Sequence, residues 1–313
     1  MSRFCKNLSL FLTYFILLSM VFFFSVMWIS HITLKDIPPP NLSNSFSLND
    51  KLYMIRNKKS NTVAIGSSIT LNDLSSEVVV KNLKDTSFLN ISSWGLTIKD
   101  IYKLLKSYSM VHVPRTLIIS SNMTDFYIDP KNFNYVEVGN YLKAKNTFLF
   151  HIKNFNLKYY ISNSYNGKKY RASKHMYESL MYDKYGSVLL ESDHFSIDSS
   201  RWNLAFVKEP LQMNYDYLDS ISAFCKQEKI KLIFLQAPVR KSLFKHTDNT
   251  VFNNHVRKVE VILSRNGDAF VNSTVVDWDD TLYVDAIHFN SNGAKLYTQY
   301  CFDMLAQKKI PLH

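Results

Sequence analysis

Leu8 to Ser30 is a run of 23 residues without a formal charge, built mainly from Leu, Phe, Ile, Val and Met. As a helix it would be roughly 34 Å long, enough to cross a hydrocarbon core of about 30 Å. Arg3 and Lys6 precede it, and only Lys35, beside Asp36, follows before the chain turns polar. That asymmetry predicts a cytoplasmic tail over 1–7, a transmembrane anchor over 8–30 and everything after it outside. The stretch is longer than the apolar part of a usual signal peptide, and no Ala-x-Ala-like cleavage site follows, so the segment reads as an uncleaved signal anchor.

Removing the first 30 of 313 residues leaves 283, enough for one large α/β domain or two small ones. Hydrophobic content of 46% and charged content of 20% describe a folded domain rather than a disordered tail. Taking Arg3 and Lys6 from the net charge of +11 leaves +9 on the exported part, an excess suited to acidic polymers or an anionic membrane surface. The excess is scattered, which disfavours nucleic acid as a partner. Cys5 falls on the cytoplasmic side. Cys225 and Cys301 fall in helical patterns and read as buried thiols, with a disulfide between them left open. No Cys-x-x-Cys, His-Glu-x-x-His or phosphate-loop motif occurs, so neither a metal nor a cofactor is expected.

Pro38-Pro39-Pro40 and the Asn/Ser-rich run from Asn41 to Asn49 read as a linker over 31–59. From residue 60 to 313, strand and helix signals alternate. Strands are expected at Thr62–Ile65, Ser87–Ile91, Thr116–Ile119, Lys231–Leu235 and Ala269–Val271. Helices are expected at Ile98–Tyr108, Leu211–Gln227, Val251–Leu263 and Ser291–Leu305, the last with Ser291 as N-cap. This alternation predicts a three-layer α/β sandwich with a mainly parallel five-stranded sheet. Residues 126–201, rich in Tyr, Asn, Lys and Phe and holding Asn166-Gly167, break the rhythm. They read as an insertion over the sheet's carboxyl edge, where open α/β sheets bind ligands, with a lid or substrate-binding role.

Two short stretches carry the chemistry. Gly66-Ser67-Ser68-Ile69-Thr70 follows the first strand, a place where a turn can present a serine hydroxyl. Asp285-Ala286-Ile287-His288 precedes the last helix and can supply a base with its orienting carboxylate. His151, His175, His194 and His255 have no such context and read as surface or core residues.

On these blocks the chain resembles the SGNH (GDSL-like) hydrolase superfamily, over roughly residues 60 to 306. The family's first block is Gly-Asp-Ser, often with Thr two residues on. Here the nucleophile would be Ser68, with Ser67 in place of the usual Asp. Gly-Ser-Ser is similar to the membrane-anchored branches that act in polysaccharide O-acetylation and teichoic-acid D-alanylation. The second block is a glycine after the second strand, matched by Gly95 in Asn90-Ile91-Ser92-Ser93-Trp94-Gly95. The third is Gly-x-Asn-Asp. Ser120-Ser121-Asn122-Met123 fits it only at Asn122, and Asp125 lies close by as a turn cap. Asp285-x-x-His288 matches the last block in full. The resemblance implies a Ser68–His288–Asp285 triad, with Ser68, Gly95 and Asn122 forming the oxyanion hole.

It further implies a bacterial cell-membrane protein with one span, its catalytic domain extracytoplasmic, working beside a multi-pass membrane acyltransferase. The expected activity is acyl transfer through an acyl-serine: an esterase or O-acetyltransferase on a cell-envelope glycan. Two other classes stay open. One is a non-catalytic glycan-binding scaffold of an acylation complex, suggested by Ser67 and the thin match around Asn122. The other is a lipase or thioesterase on membrane lipids, suggested by the anchor and the Phe- and Tyr-rich insertion.

Overall fold

The computed structural model describes residues 3–29, 37–127, 130–191, 209–240 and 249–310. Helix α1, Arg3–Ile29, has 27 residues and would be about 40 Å long. Among the described residues it alone is long and apolar enough to cross a membrane, and its apolar window is wholly exposed. Further helices follow in chain order: α2 Phe46–Ile55, α3 Ser68–Asp73, α4 Ser76–Leu83, α5 Ile98–Ser109, α6 Tyr135–Lys143, α7 Phe148–Lys153, α8 Leu157–Tyr170, α9 Gln212–Gln227, α10 Asn249–Ser264 and α11 Ser291–Gln307.

Five strands, β1 Thr62–Ala64, β2 Leu89–Asn90, β3 Thr116–Ser121, β4 Lys231–Gln236 and β5 Ala269–Asn272, form one sheet in the order β2-β1-β3-β4-β5. Every pairing is parallel, with Val63 opposite Leu89 and Leu117, and Leu117 opposite Leu232. The α/β sandwich expected from the alternation is therefore the observed architecture. Successive strand residues face opposite layers. Val63, Ile65, Leu117, Ile119, Leu232 and Phe234 join a core with α2, α5, α6 and α9. Ala64, Ile118, Ile233 and Leu235 face the other way, onto α3, α4 and α11. Burial of the sheet on both faces is why its strands read as near-continuous apolar runs.

The helices follow from their spacing. In α5, Ile98, Ile101, Leu104, Leu105 and Tyr108 repeat every three to four residues, and all are buried. Each of the aliphatic four contributes roughly 1.5–3 kcal/mol on burial. Thr97 and Asp100 close its start with reciprocal capping bonds. Cys225 and Cys301 are buried free thiols in α9 and α11.

Two expectations are corrected. The stretch read as a linker over 31–59 is, within its described part, folded into the domain. Pro38 to Pro40 are buried, and α2 sets Leu48, Leu52 and Ile55 in the core at helical spacing. Its polar residues are satisfied internally: Asn49 accepts from Ser43 Oγ at 2.8 Å and donates to Tyr159 Oη at 2.9 Å. The cap of α11 is Asn290 rather than Ser291, since Asn290 Oδ1 accepts from the N–H groups of Asn292 and Gly293. Asn166-Gly167 lies inside α8.

Within the insertion, α6 packs on α5 and α8 on α2. Residues 171–191 then run along the sheet's carboxyl edge. Gly186 O accepts from Lys51 Nζ at 2.6 Å, Ser187 Oγ donates to Leu74 O, and Leu190 O accepts from Ser291 N. His194 and the end of the insertion lie outside the described residues.

Candidate active site

The site lies at the carboxyl edge, where β1 is flanked by strands reached in opposite directions, the switch point at which such sheets place ligands. Ser68 is the first residue of α3. Ser67 is its N-cap, accepting from Ile69 N at 3.1 Å, so the residue beside Ser68 is spent on the helix start. Gly66 has no room for a side chain: a Cβ there would sit 1.9 Å from Thr70 Oγ1 and 3.3 Å from Ser120 O. Thr70 donates to Ser120 O at 2.5 Å and accepts from Ser120 N at 3.0 Å. The small Gly and the Thr of the first block thus clamp the Ser68 turn to the end of β3. Gly66 O also accepts from Ser93 N at 3.1 Å, joining the loop after β2.

The last block closes on this turn. Ser68 Oγ and His288 Nε2 are 2.8 Å apart, and His288 Nδ1 and Asp285 Oδ2 are 2.8 Å apart. Asp285 Oδ1 accepts from the N–H groups of Ile287 and His288, which folds the four residues into a compact turn and aims both side chains the same way. Asp73, at the far end of α3, accepts from Phe289 N at 3.0 Å. One short helix therefore carries the serine at one end and holds the histidine loop at the other.

The side chains of Asp285 and His288 are 5% and 8% exposed, so their interaction is little screened by water. Burial disfavours the charged imidazole, but the charge and hydrogen bond of Asp285 outweigh it and raise the pKa of His288. Burial likewise opposes ionisation of Asp285, and His288 with the Tyr177 and backbone hydrogen bonds reverses this and lowers it. Asp73 is pushed well up by burial. Asp125 is raised to about 7 by burial, with the Ser121 and Ser67 hydroxyls offsetting only part.

Gly95 has φ +61°, in the left-handed region that glycine adopts without strain. Asn122 is fully buried at the end of β3. Its Oδ1 accepts from Thr124 N at 2.9 Å and from Thr124 Oγ1, while its Nδ2 has no hydrogen-bond partner among the described residues. A buried amide left without an acceptor is the expected condition of a donor awaiting an oxyanion. Asn122 therefore both caps the turn and keeps its amide free.

Ser68, Asn72, Trp94, Tyr177, Glu178 and His288 line a cavity of about 260 Å³. A larger cavity of about 520 Å³ beside Pro38, Asp50 and Arg171 contains none of the triad. Tyr177, unmarked by any motif, comes from the insertion. Its hydroxyl donates to Asp285 Oδ2 at 2.5 Å and lies 3.4 Å from His288 Nδ1. Asp73 and Glu178 were equally silent in the sequence; only the position of Asp73, five residues past Ser68 on the same helix, offered a hint. His255 is a core residue, bonded to Tyr215 Oη at 2.8 Å and held neutral by burial. His151 is half-buried beside Tyr160, and His175 is exposed near Glu191. Among the described residues, no cluster of three or more His, Cys, Asp or Glu side chains is placed to hold a metal ion.

No family model and no curated protein matches the chain. Among solved structures, the lipase/acylhydrolase from Enterococcus faecalis is similar over 79% of this chain and 96% of its own, at 13% identity and TM-score 0.42. A GDSL-like lipase from Bacteroides thetaiotaomicron is similar over 81% and 90%, at 11% identity and TM-score 0.38. A psychrotrophic esterase from a Pseudoalteromonas species is similar over 80% and 100%, at 9% identity and TM-score 0.38. The likeness carries no residue role; those rest on the geometry of the site.

Proposed function

We propose that this chain is a membrane-anchored serine acyl-transfer enzyme of the SGNH type, an esterase or O-acetyltransferase acting on acylated cell-envelope glycan. The observation that carries the reading is the continuous relay Ser68–His288–Asp285. His288 Nε2 takes the proton as Ser68 Oγ attacks the ester carbonyl. The oxyanion is held by Asn122 Nδ2 and the N–H groups of Ser68 and Gly95. Its collapse expels the alcohol, which receives the proton from His288 and leaves acyl-Ser68. Water as second acceptor completes an esterase; a sugar hydroxyl completes a transferase. Asp285 fixes the tautomer of His288 and stabilises its charged form.

The Ser68 cavity, about 260 Å³, has room for a short acyl group. Trp94 and Tyr177 put aromatic rings in the cavity wall, against which a sugar ring can pack. A multi-pass acyltransferase as donor and an extracytoplasmic location complete the proposal. The continuous relay also favours a working site over a decayed scaffold.

The test is labelling of the full chain in detergent by a fluorophosphonate probe. Labelling in the wild type and Ser67→Ala, lost in Ser68→Ala, is expected. Equal labelling of Ser68→Ala would sink the assignment.

A further inference from the structure

The side of α7 and α8 turned away from the core carries a cluster of exposed apolar residues. Leu157 and Ile161 lie one turn apart on α8, opposite Tyr159, whose ring is buried. Phe148, Leu149 and Ile152 on α7 and Phe155 between the helices continue the surface. All six are 56–73% exposed. His151 and Phe155 both contact the ring of Tyr160 on α8, so the two helices form one face. Surface helices ordinarily turn such a stripe inward, and a patch of this kind marks an interaction site.

Two observations name what covers it. Tyr159 Oη donates to Pro39 O at 3.2 Å, and Pro39 is ten residues beyond the end of α1 at Ile29. Ten residues span at most about 35 Å, so a membrane crossed by α1 lies within reach of α8. Lys143, Lys145 and Lys158, all exposed, flank the apolar residues. Apolar side chains fringed by lysine are the pattern of helices that lie in a lipid interface and favour anionic headgroups.

We propose that α7 and α8 form a second membrane contact, seating their apolar face at the headgroup–acyl boundary of the leaflet from which α1 emerges. This rests on α1 being a membrane span and not on the catalytic reading. The contact fixes how the domain stands on the bilayer. At the far end of α8, Tyr170 meets Trp94 edge-on and Lys169 pairs with Glu178 at 3.0 Å, both partners lining the Ser68 cavity. A seated α8 therefore holds the cavity at a set height above the lipid.

The test uses the full chain with Cys5→Ser and one new cysteine, Leu149→Cys, Ile161→Cys or Leu296→Cys, carrying bimane. Cys225 and Cys301 are fully buried and do not label. Leu296 is 55% exposed on α11, across the sheet, and is the control. In vesicles of phosphatidylglycerol and phosphatidylethanolamine with nitroxide acyl chains, quenching at 149 and 161 is expected to exceed that at 296 several-fold. Leu157→Glu should abolish the excess at 161 and leave fluorophosphonate labelling in detergent unchanged. Equal quenching at the three positions overturns the proposal. So does absence of quenching in lipid together with crosslinking of position 149 to one protein in native membranes, which assigns the face to a protein partner. A chain not retained by the vesicles overturns the span and the docking with it. A chain that quenches but never labels with the probe refutes the catalytic reading and leaves this one standing.

Discussion

Tyr177→Phe removes one hydroxyl that touches Asp285 and leaves Ser68, His288 and Asp285 themselves in place. That hydroxyl donates to Asp285 Oδ2, the same oxygen that meets His288 Nδ1. A hydrogen bond to a charged group is worth about 1.5–3 kcal/mol, and partial exposure of Tyr177 lets water recover some of it, so the lower end applies. At about 2–4 °C per kcal/mol for a domain of this size, Tm should fall by about 3–6 °C. The kinetic effect has a definite sign. A carboxylate that loses a donor becomes a stronger acceptor for His288 and raises its pKa further. One pKa unit corresponds to about 1.36 kcal/mol, so the shift should be up to about one unit. The base must be neutral to take the Ser68 proton, so activity rises with pH through the His288 pKa. The assay is kcat/KM for an activated acetyl ester against pH, which reports the free enzyme. The acid limb should move to higher pH in Tyr177→Phe, with Asp73 and Asp125 still facing the ring and Arg240 still near Asp285. A limb that stays in place, or moves down, would refute the reasoning; a lower Tm alone would make Tyr177 a packing residue.

Asp285→Asn should drop kcat by about 10⁴ through the wrong tautomer and carry the acid limb from above 6.5 toward or below it, read from the same profiles. The pair also sets two stability limbs. The raised pKa of His288 contributes stability that is full below 6.5 and is lost as pH rises through its folded value. The lowered pKa of Asp285 contributes stability present above 3.8 and lost as pH falls; melting curves against pH check both. Asn122→Asp keeps the oxygen that caps Thr124 but loses the free amide, so kcat should fall by about 10²–10³ with little change in KM. Gly66→Ala forces a Cβ against a Thr70 hydroxyl pinned on both sides by Ser120, and should cost about 1–3 kcal/mol by denaturant titration.

What could be read in the sequence follows what is local. The strands showed because apolar runs such as Leu117-Ile118-Ile119 are buried on both faces and need no partner to be recognised. Ser68, His288 and Asp285 showed because each block is a turn whose own residues shape it: Gly66 by close approach, Asp285 by bonds to Ile287 and His288. The linker reading failed at α2 because Asn49 and Ser43 look solvent-loving until Tyr159, 110 residues later, takes the amide of Asn49. Tyr177 was illegible for the same reason, and Asp73 showed only through its place on the helix of Ser68. Their partners are distant in the chain, and nothing in their neighbours' identities marks them.

The departure at Ser67 has a physical counterpart in Asp125. Three carboxylates, Asp73, Asp125 and Asp285, surround His288. Burial pushes the first two toward their neutral forms, so Asp285 supplies the charge that the imidazole feels at close range. The Ser67 hydroxyl caps α3 and, with that of Ser121, holds the Asp125 pKa below what burial alone would give. An aspartate at 67 could still cap the helix, but it would face Asp125 in a buried site, where two charges about 4 Å apart repel by about 4 kcal/mol even at an effective dielectric constant near 20. Ser67→Asp should therefore be tolerated near pH 5, where the two acids share a proton, and should lose stability toward pH 8. Adding Asp125→Asn should restore it. Melting curves of the single and double variants at the two pH values decide the matter: a Ser67→Asp deficit equal at pH 5 and 8, or one that Asp125→Asn leaves in place, would mean that Asp125 is not what makes room for serine at this position.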